Sequence, residues 1–361
     1  MIWLGLAAVF FATLLLLRLL SRAAVRAGLV DYPGRRKRHR GAIPLIGGPA
    51  IFAGLCIGAV LIPNSLKPYP ALFAGLAVLL IAGILDDLRD LTPKQKFLAQ
   101  LIAAACMVWW GGTTVDSLGN LLGLGEIGLP YLAIPFTIVA LLGLINAINM
   151  TDGADGLAAG LSLIAFFFLA LSALVIGRVY SVEMLATIIA VVAAFWIVNM
   201  RFPWQSHAKA FLGDSGSMML GLLLTWFSIE VARWRSGLDP IAAVWFLAVP
   251  LLDMGVVILR RLGKGKSPFS AGRDHFHHVL IAAGLPPGSA VLLIYAIALA
   301  LGALGFFAWR AGVPEYWMFY GFLALLGACY ALSWRWVRVI RFSRRRRRHL
   351  QTGVAAKVTA L

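Results

Sequence analysis

The stretch Asn146-Ala-Ile-Asn-Met-Thr-Asp-Gly-Ala-Asp-Gly-Leu157 places two carboxamides, two carboxylates and two glycines between long apolar runs. One run covers Pro130 to Ile145 and the next begins at Leu157, so the polar residues fall where a membrane span should meet water. Asn146, Asn149 and Asp152 recur at three-residue steps and would share one face of a continuing helix. Acidic residues at a bilayer edge favour a functional site, although a hydrophilic loop between two spans would have a similar composition.

The composition of the chain indicates a polytopic helical membrane protein. Its 361 residues are 61% hydrophobic and only 13% charged, with a mean hydropathy of +0.88, whereas soluble domains carry about 25% charged residues. Apolar runs near the length of about 20 residues that a bilayer requires recur along the chain. The net charge of +17 would suggest nucleic acid in a soluble protein, but no nucleic-acid-binding motif accompanies it. We therefore expect an all-α fold and no nucleic-acid partner.

The apolar runs predict about eleven transmembrane helices. These are Ile2–Leu20, Pro44–Ile62, Ala71–Leu85, Phe97–Trp110, Pro130–Asn146, Leu157–Ile176, Met184–Met200, Phe211–Val231, Ile241–Leu259, Ala290–Trp309 and Tyr316–Trp336. With the N-terminus outside, the inner segments hold 27 of the 32 lysines and arginines, as the positive-inside rule requires. This assignment gives a transmembrane domain over residues 1–343 and a basic cytoplasmic tail over residues 344–361, which would contact anionic lipid.

Three further polar motifs fall on the same predicted inner face. In Leu85-Asp86-Asp87-Leu88-Arg89-Asp90, adjacent carboxylates suit a general base or a cation site, or they only cap the helix. In Phe211-Leu-Gly-Asp-Ser-Gly-Ser217, Asp214 lies at a helix N-terminus that favours phosphate, or it is a plain N-cap. The loop from Lys264 to His278 combines cations with three histidines, which suits an anionic diphosphate better than zinc. Together with the oxygen ligands that Mg²⁺ prefers, the four motifs predict phosphoryl transfer between a soluble phosphate compound and a lipid.

In their order and spacing, these motifs resemble the polyprenyl-phosphate N-acetylhexosamine-1-phosphate transferase family. The matches are Asp86-Asp87, Asn146-x-x-Asn149-x-x-Asp152-Gly-x-Asp155-Gly-Leu, Phe211-x-Gly-Asp214-x-Gly-Ser and His275-x-His277-His278. The resemblance covers nearly all of the predicted spans. Both the basic segment Lys37–Gly48 and the Lys264–His278 loop are similar to the GlcNAc-1-phosphate branch of the family rather than to its MurNAc-pentapeptide branch.

The resemblance implies that undecaprenyl phosphate attacks the β-phosphate of UDP-GlcNAc in the bacterial inner membrane, at a site facing the cytoplasm. UMP would leave, and undecaprenyl-diphospho-GlcNAc would begin a cell-envelope polysaccharide such as O-antigen. Asp214 would be the leading ligand of Mg²⁺, for which Mn²⁺ could substitute, with Asn149 supporting it. Asp86 or Asp87 would deprotonate or orient the lipid phosphate, or a covalent phospho-aspartate would form instead.

The same resemblance implies which residues bind the substrates. Lys96 matches a lysine near the diphosphate, with Lys94 competing for the assignment, and Phe211 would stack on uracil. The remaining candidates are Asn146, the nucleotide-side Asp152 and Asp155, and a group at the phosphates or sugar consisting of Arg273, His275, His277 and His278.

Other functions stay open at this point. The same transfer could use another UDP-N-acetylhexosamine, and a homodimer is not excluded. A transporter or flippase of anionic lipid-linked sugars would place charge near the midplane and show internal repeats, whereas the charges here cluster at one face. An electrostatic membrane scaffold predicts that Asp214→Asn is harmless. Asp253, inside the ninth predicted span, would be either a paired structural charge or a cavity residue.

Overall fold

The computed structural model describes residues 2–33, 41–62, 69–233, 237–267 and 274–334. Within these ranges the chain is a bundle of α-helices with one short antiparallel pair of strands. The elements are α1 (Ile2–Ala27), β1 (Val30–Asp31), β2 (Ile43–Pro44), α2 (Gly47–Leu61), α3 (Pro70–Arg89), α4 (Pro93–Ala105), a π-helix (Cys106–Trp110), α5 (Ala133–Thr151), α6 (Leu157–Val175), α7 (Val179–Asn199), α8 (Gly213–Ala232), α9 (Pro240–Phe246), α10 (Ala248–Leu262), α11 (Phe276–Ala283), α12 (Pro287–Arg310) and α13 (Glu315–Trp334). The predicted basic tail lies outside the described residues.

Eight helices of the described ranges are long and apolar enough to cross a membrane, namely α1, α3, α5, α6, α7, α8, α12 and α13. The pair α9 and α10 would form a ninth span, bent by 83° at Leu247. Helical segments also lie at the two other predicted positions, but α2 has only 15 residues and α4 only 13. The polytopic all-α architecture is therefore confirmed, whereas the count of eleven spans and their orientation stay predictions.

Helix α8 is the centre of the bundle. In its most apolar 18-residue window 83% of the residues are buried, against 61% or less in the other seven candidate spans. Its first turn packs so closely on two neighbours that only glycine fits beside it. A Cβ at Gly83 of α3 would lie 2.1 Å from Ser215 Cα, and one at Gly48 of α2 would lie 2.2 Å from Ser215 Oγ. The start of α8 is therefore held between α2 and α3.

Polar side chains occupy the two ends of this bundle differently. The end where α3 stops and α8 begins, which we call the site end, holds Asp86, Asn149 and Asp214 in mutual proximity. At the opposite end, Glu230 accepts hydrogen bonds from Tyr69 Oη at 2.7 Å and from Ser181 Oγ at 2.6 Å. This carboxylate ties α3, α7 and α8 together far from the site end.

Candidate active site

The site is built around Lys96, whose ammonium group bridges two carboxylates. Its Nζ lies 2.5 Å from Asp86 Oδ2 and 2.6 Å from Asp214 Oδ2. The three residues come from α3, α4 and α8, and Asp214 is separated from Lys96 by 118 positions. A helix end, a helix start and a cation are therefore joined in one cluster.

A tight turn between α3 and α4 places Lys96 back over Asp86. Asp90 ends α3 with a left-handed φ of 50°, and Asp86 Oδ1 accepts a hydrogen bond from Leu91 N at 2.8 Å. Thr92 then starts α4 in a reciprocal capping box with Gln95, which satisfies backbone donors that a helix start otherwise leaves unpaired. The chain reversal is thus encoded locally, and it fixes which lysine reaches the carboxylates.

Asp87 lies against the N-terminus of α8. Its Oδ1 accepts a hydrogen bond from Asp214 N at 3.2 Å, while its buried Oδ2 has no hydrogen-bond partner among the described residues. Gly213 makes this approach possible, because its φ is +72° and a Cβ there would lie 2.6 Å from Asp87 Oδ2. An unpaired buried carboxylate oxygen is costly unless a cation or a proton compensates it.

The two asparagines of α5 have different partners. Asn149 Nδ2 donates to Asp214 Oδ1 at 3.3 Å and to Ser217 Oγ at 3.0 Å. Asn146 Nδ2 instead donates to Gln100 Oε1 at 3.3 Å and to its own helix backbone. Of the predicted pair, only Asn149 touches the carboxylate cluster, while Asn146 joins α5 to α4.

Asp214 and Asn149 could hold a magnesium ion only if other groups completed its shell. Among the described residues no group of three acidic, histidine or cysteine side chains is placed to hold a metal by itself. Mg²⁺ usually takes one or two carboxylates and completes its shell with water and substrate phosphate. Asp214 and the carboxamide of Asn149 would supply such an incomplete set, because a carboxamide can present its oxygen as well as its nitrogen.

The loop after α5 is fastened to the α7–α8 connection. Asp155 Oδ2 accepts hydrogen bonds from Arg201 Nε at 2.7 Å and from Ala208 N at 3.2 Å. Asn199 adds a second tie, accepting from Gly156 N and donating to Ala210 O, both at 2.8 Å. Asp155 thus holds the loop in place, and the sequence pattern did not single out Arg201 or Asn199 as its partners.

Asp152 lies in the same loop, with part of its surface open to solvent but with many protein atoms around its carboxyl group. The surrounding protein removes hydration from its charged form, and the negative charges of Asp214, Asp87 and Asp155 add to that effect. Together they raise the pKa of Asp152 to about 7. This carboxyl therefore belongs to the same negative field as the cluster, although no hydrogen bond joins them.

The histidine motif packs against α10 and the loop after α5. His275 Nδ1 lies 2.8 Å from Asp253 Oδ2, so the aspartate is paired. His277 is 3% exposed, and a Cβ at Gly153 would lie 2.5 Å from its Nε2. Burial and the neighbouring His278 lower the pKa of His277 to about 3, so this imidazole is neutral. The rings of His277 and His278 are 4.1 Å apart, and Arg273 lies outside the described residues.

Phe211 lies at the edge of the site, two residues before Gly213. Its N–H donates to Pro44 O and its carbonyl accepts from Gly47 N, both at 2.9 Å. The side chain is half-buried. The β2–α2 connection, which the sequence analysis placed inside a predicted span, therefore forms part of the wall of the site.

The residues predicted from the sequence fall into two sets according to whether they bond directly within the carboxylate cluster. Direct hydrogen bonds or ion pairs join Asp86, Asp87, Lys96, Asn149 and Asp214. The others make contacts with residues outside this cluster or act on it only through charge, and these are Asn146, Asp152, Asp155, Phe211, His275, His277 and His278. The roles assigned to them from the sequence stay predictions.

Comparisons with known proteins agree with the resemblance noted from the motifs. Residues 69–232 match the family model described as glycosyl transferase family 4. A Yersinia pestis protein is 35% identical over 347 residues, covering 94% of each chain. An Escherichia coli K12 protein is 34% identical over 96% of this chain and 95% of its own, and a Haemophilus influenzae protein is 35% identical over 94% and 96%. All three are named undecaprenyl-phosphate alpha-N-acetylglucosaminyl 1-phosphate transferase. By its motifs and by this similarity over almost its whole length, the chain belongs to glycosyl transferase family 4.

Proposed function

We propose that the protein transfers GlcNAc-1-phosphate from UDP-GlcNAc to undecaprenyl phosphate, producing undecaprenyl-diphospho-GlcNAc and UMP. The names of its relatives support the acceptor and the transferred group. The observation that carries the proposal is the cluster of Asp86, Lys96 and Asp214, which gathers carboxylates and a cation at the ends of membrane helices. A membrane lipid phosphate and a soluble nucleotide can meet at such a place.

In the proposed reaction, an oxygen of the lipid phosphate forms a bond to the β-phosphorus of UDP-GlcNAc. The bond from that phosphorus to the oxygen bridging the two phosphates breaks, and UMP departs with that oxygen. Phosphoryl transfer needs little covalent participation by the protein, so positioning and electrostatic stabilisation dominate. The side chains of the site are therefore assigned to binding, orientation and charge.

The geometry favours Asp87 over Asp86 as the group that deprotonates or orients the lipid phosphate. Both oxygens of Asp86 are engaged, one by Leu91 N and one by Lys96 Nζ. Asp87 keeps one oxygen without a partner among the described residues. Asp86 is accordingly proposed to hold Lys96, which turns its charge toward the diphosphate when the substrate binds.

Asp214 and Asn149 are proposed to hold Mg²⁺. The ion would neutralise the diphosphate and the charge that develops on departing UMP. The neutral His277 would contribute hydrogen bonding and packing rather than charge, so cationic contacts to the phosphates are proposed to come from Lys96 and Arg273. The site is proposed to face the cytoplasm, because the predicted inner segments carry most of the basic residues.

The test is release of UMP by the purified full-length protein in detergent, supplied with MgCl₂, labelled UDP-GlcNAc and undecaprenyl phosphate. EDTA and Asp214→Asn should each abolish release. Asp116→Asn should not, because Asp116 lies at the opposite end, where its partners are Thr114, which donates to Oδ1 at 2.6 Å, and Arg233, at 3.7 Å. Full activity of Asp214→Asn would remove the proposed role of the cluster and favour the scaffold. Release with only another UDP-N-acetylhexosamine would change the sugar and leave the chemistry intact.

A further inference from the structure

Asp253 of α10 clamps the start of α11 with both of its carboxylate oxygens. Oδ2 lies 2.8 Å from His275 Nδ1, and Oδ1 accepts a hydrogen bond from Phe276 N at 2.8 Å. Both side chains of the ion pair are only 9% exposed. A buried carboxylate with both oxygens engaged across 22 positions of sequence fixes the two segments relative to each other.

The clamp replaces a cap that α11 lacks. His275 occupies the N-cap position of α11, but its side chain makes no capping hydrogen bond. The first N–H groups of a helix have no intrahelical acceptor, and a carboxylate near them is favourable because of the helix dipole. Asp253 provides this acceptor from a neighbouring helix, so the position and direction of α11 depend on a residue of α10.

The same contact determines how His275 presents its ring. A carboxylate at Nδ1 favours the imidazole tautomer that carries its proton on Nδ1, so in the neutral ring Nε2 is the unprotonated nitrogen. The ring centroid of His277 lies 6.1 Å from that of His275, and His277 packs against Gly153 in the loop after α5. Since that loop contains Asp152, the clamp holds the histidine motif against the segment that the sequence resemblance assigns to the nucleotide.

We infer that Asp253 is a positioning residue for the UDP-sugar half of the site, acting through His275 and the N-terminus of α11. The inference rests on the proposed function and adds a residue to it. Both expectations for this aspartate hold, since the carboxylate is paired with His275 and also lines a small cavity with Phe276 and His277. Replacing Asp253 should therefore raise KM for UDP-GlcNAc and leave KM for the lipid phosphate nearly unchanged.

The kinetic test compares Asp253→Ala, Asp253→Asn and Glu230→Gln in the full-length protein. We expect Asp253→Ala to raise KM for UDP-GlcNAc by about 10- to 100-fold, the range found for residues that orient metal-binding histidines, with KM for undecaprenyl phosphate unchanged. Asp253→Asn should recover part of this loss, because its carboxamide oxygen still accepts one of the two hydrogen bonds. Glu230→Gln perturbs a half-buried, hydrogen-bonded carboxylate at the opposite end, so it should lower the unfolding temperature and change neither KM. Equal rises of KM for both substrates, or no recovery by Asp253→Asn, would overturn the inference.

A second measurement is independent of the reaction. In protein labelled with ¹⁵N-histidine, the His275 resonances, assigned by their loss in His275→Gln, should show a proton on Nδ1 in the wild type. Asp253→Ala should abolish this preference, whereas Glu230→Gln should preserve it. If the proton position on the His275 ring is the same in the wild type and in Asp253→Ala, the clamp is refuted, whether or not UDP-GlcNAc is the substrate. If the clamp is present but no UDP-sugar releases UMP, the proposed function fails instead.

Discussion

Replacing Gly213 by alanine tests whether the close contact of Asp87 with the first turn of α8 is required for transfer. Gly213 has a φ of +72°, where a residue with a side chain costs about 1–2 kcal/mol. The new Cβ would lie 2.6 Å from Asp87 Oδ2, while ordinary contact begins at 3.4 Å, so the two must separate by about 0.8 Å. Because Asp214 N donates to the other oxygen of Asp87, this shift displaces both carboxylates. A misplacement of about 1 Å costs on the order of 100-fold in rate, so we expect a similar loss of kcat/KM.

Gly177→Ala is the matched control for this variant. Gly177 has nearly the same φ, +75°, and no atom of the described residues lies within 4 Å of a Cβ placed there. Both variants should lose about 1–2 kcal/mol of stability from backbone strain, visible as similar decreases of the unfolding temperature in detergent. Only Gly213→Ala should lose UMP release measured over a range of both substrates. Equal activity of the two variants would refute the assigned role of the contact.

Three further variants test the surroundings of the cluster. The folded-state pKa of Asp152 is raised to about 7 from a usual value near 3.9, so ionising this carboxyl costs stability as the pH rises through this range. In EDTA, the difference in unfolding temperature between Asp152→Asn and the wild type should therefore increase from about pH 4 to about pH 7. A difference that stays constant with pH would contradict the raised pKa. Arg201→Gln removes the ion pair with Asp155 Oδ2 and should raise KM for UDP-GlcNAc. The free energy of unfolding should fall by at most about 1 kcal/mol, since the pair is partly exposed. An unchanged KM would show that substrate binding does not need this ion pair. Glu230→Gln weakens the hydrogen bonds that Glu230 accepts from Tyr69 and Ser181 and should lower the free energy of unfolding by about 1.5–3 kcal/mol, measured by thermal unfolding. A large fall in kcat would contradict the view that this end of the bundle is independent of the site.

The parts of the site that the sequence predicted are those encoded by local patterns. Asp214 follows a glycine at the start of an apolar run, which is a helix start, and the structure places it in the first turn of α8. Asn149 was placed by helical spacing in α5, and Asp86 with Asp87 by the end of the third apolar run. Charge asymmetry predicted that these motifs share one face, and they meet at one end of the bundle.

Pairings across long sequence separations could not be predicted in this way. The capping box that begins α4 is local and orients Lys96, but its carboxylate partner Asp214 lies 118 positions away, which no local pattern predicts. The partner of Asp253 lies 22 residues away on a helix whose position depends on packing. Helix lengths and bends could not be predicted either, because apolar composition does not show that α2 stops after 15 residues or that the chain bends by 83° at Leu247.

The balance of charge in the cluster explains why the proposed reaction needs an added cation. When ionised, Asp86, Asp87 and Asp214 carry two more negative charges than Lys96 neutralises. The diphosphate and the lipid phosphate bring more, and like charges about 4 Å apart repel by roughly 4 kcal/mol even at an effective dielectric constant near 20. Lys96 cannot neutralise the carboxylates and the substrate phosphates at once, since turning toward the diphosphate leaves Asp86 and Asp214 without its charge. A divalent ion shared by Asp214 and the substrate would compensate protein and ligand together, so the incomplete donor set of the described residues is what the proposed chemistry requires.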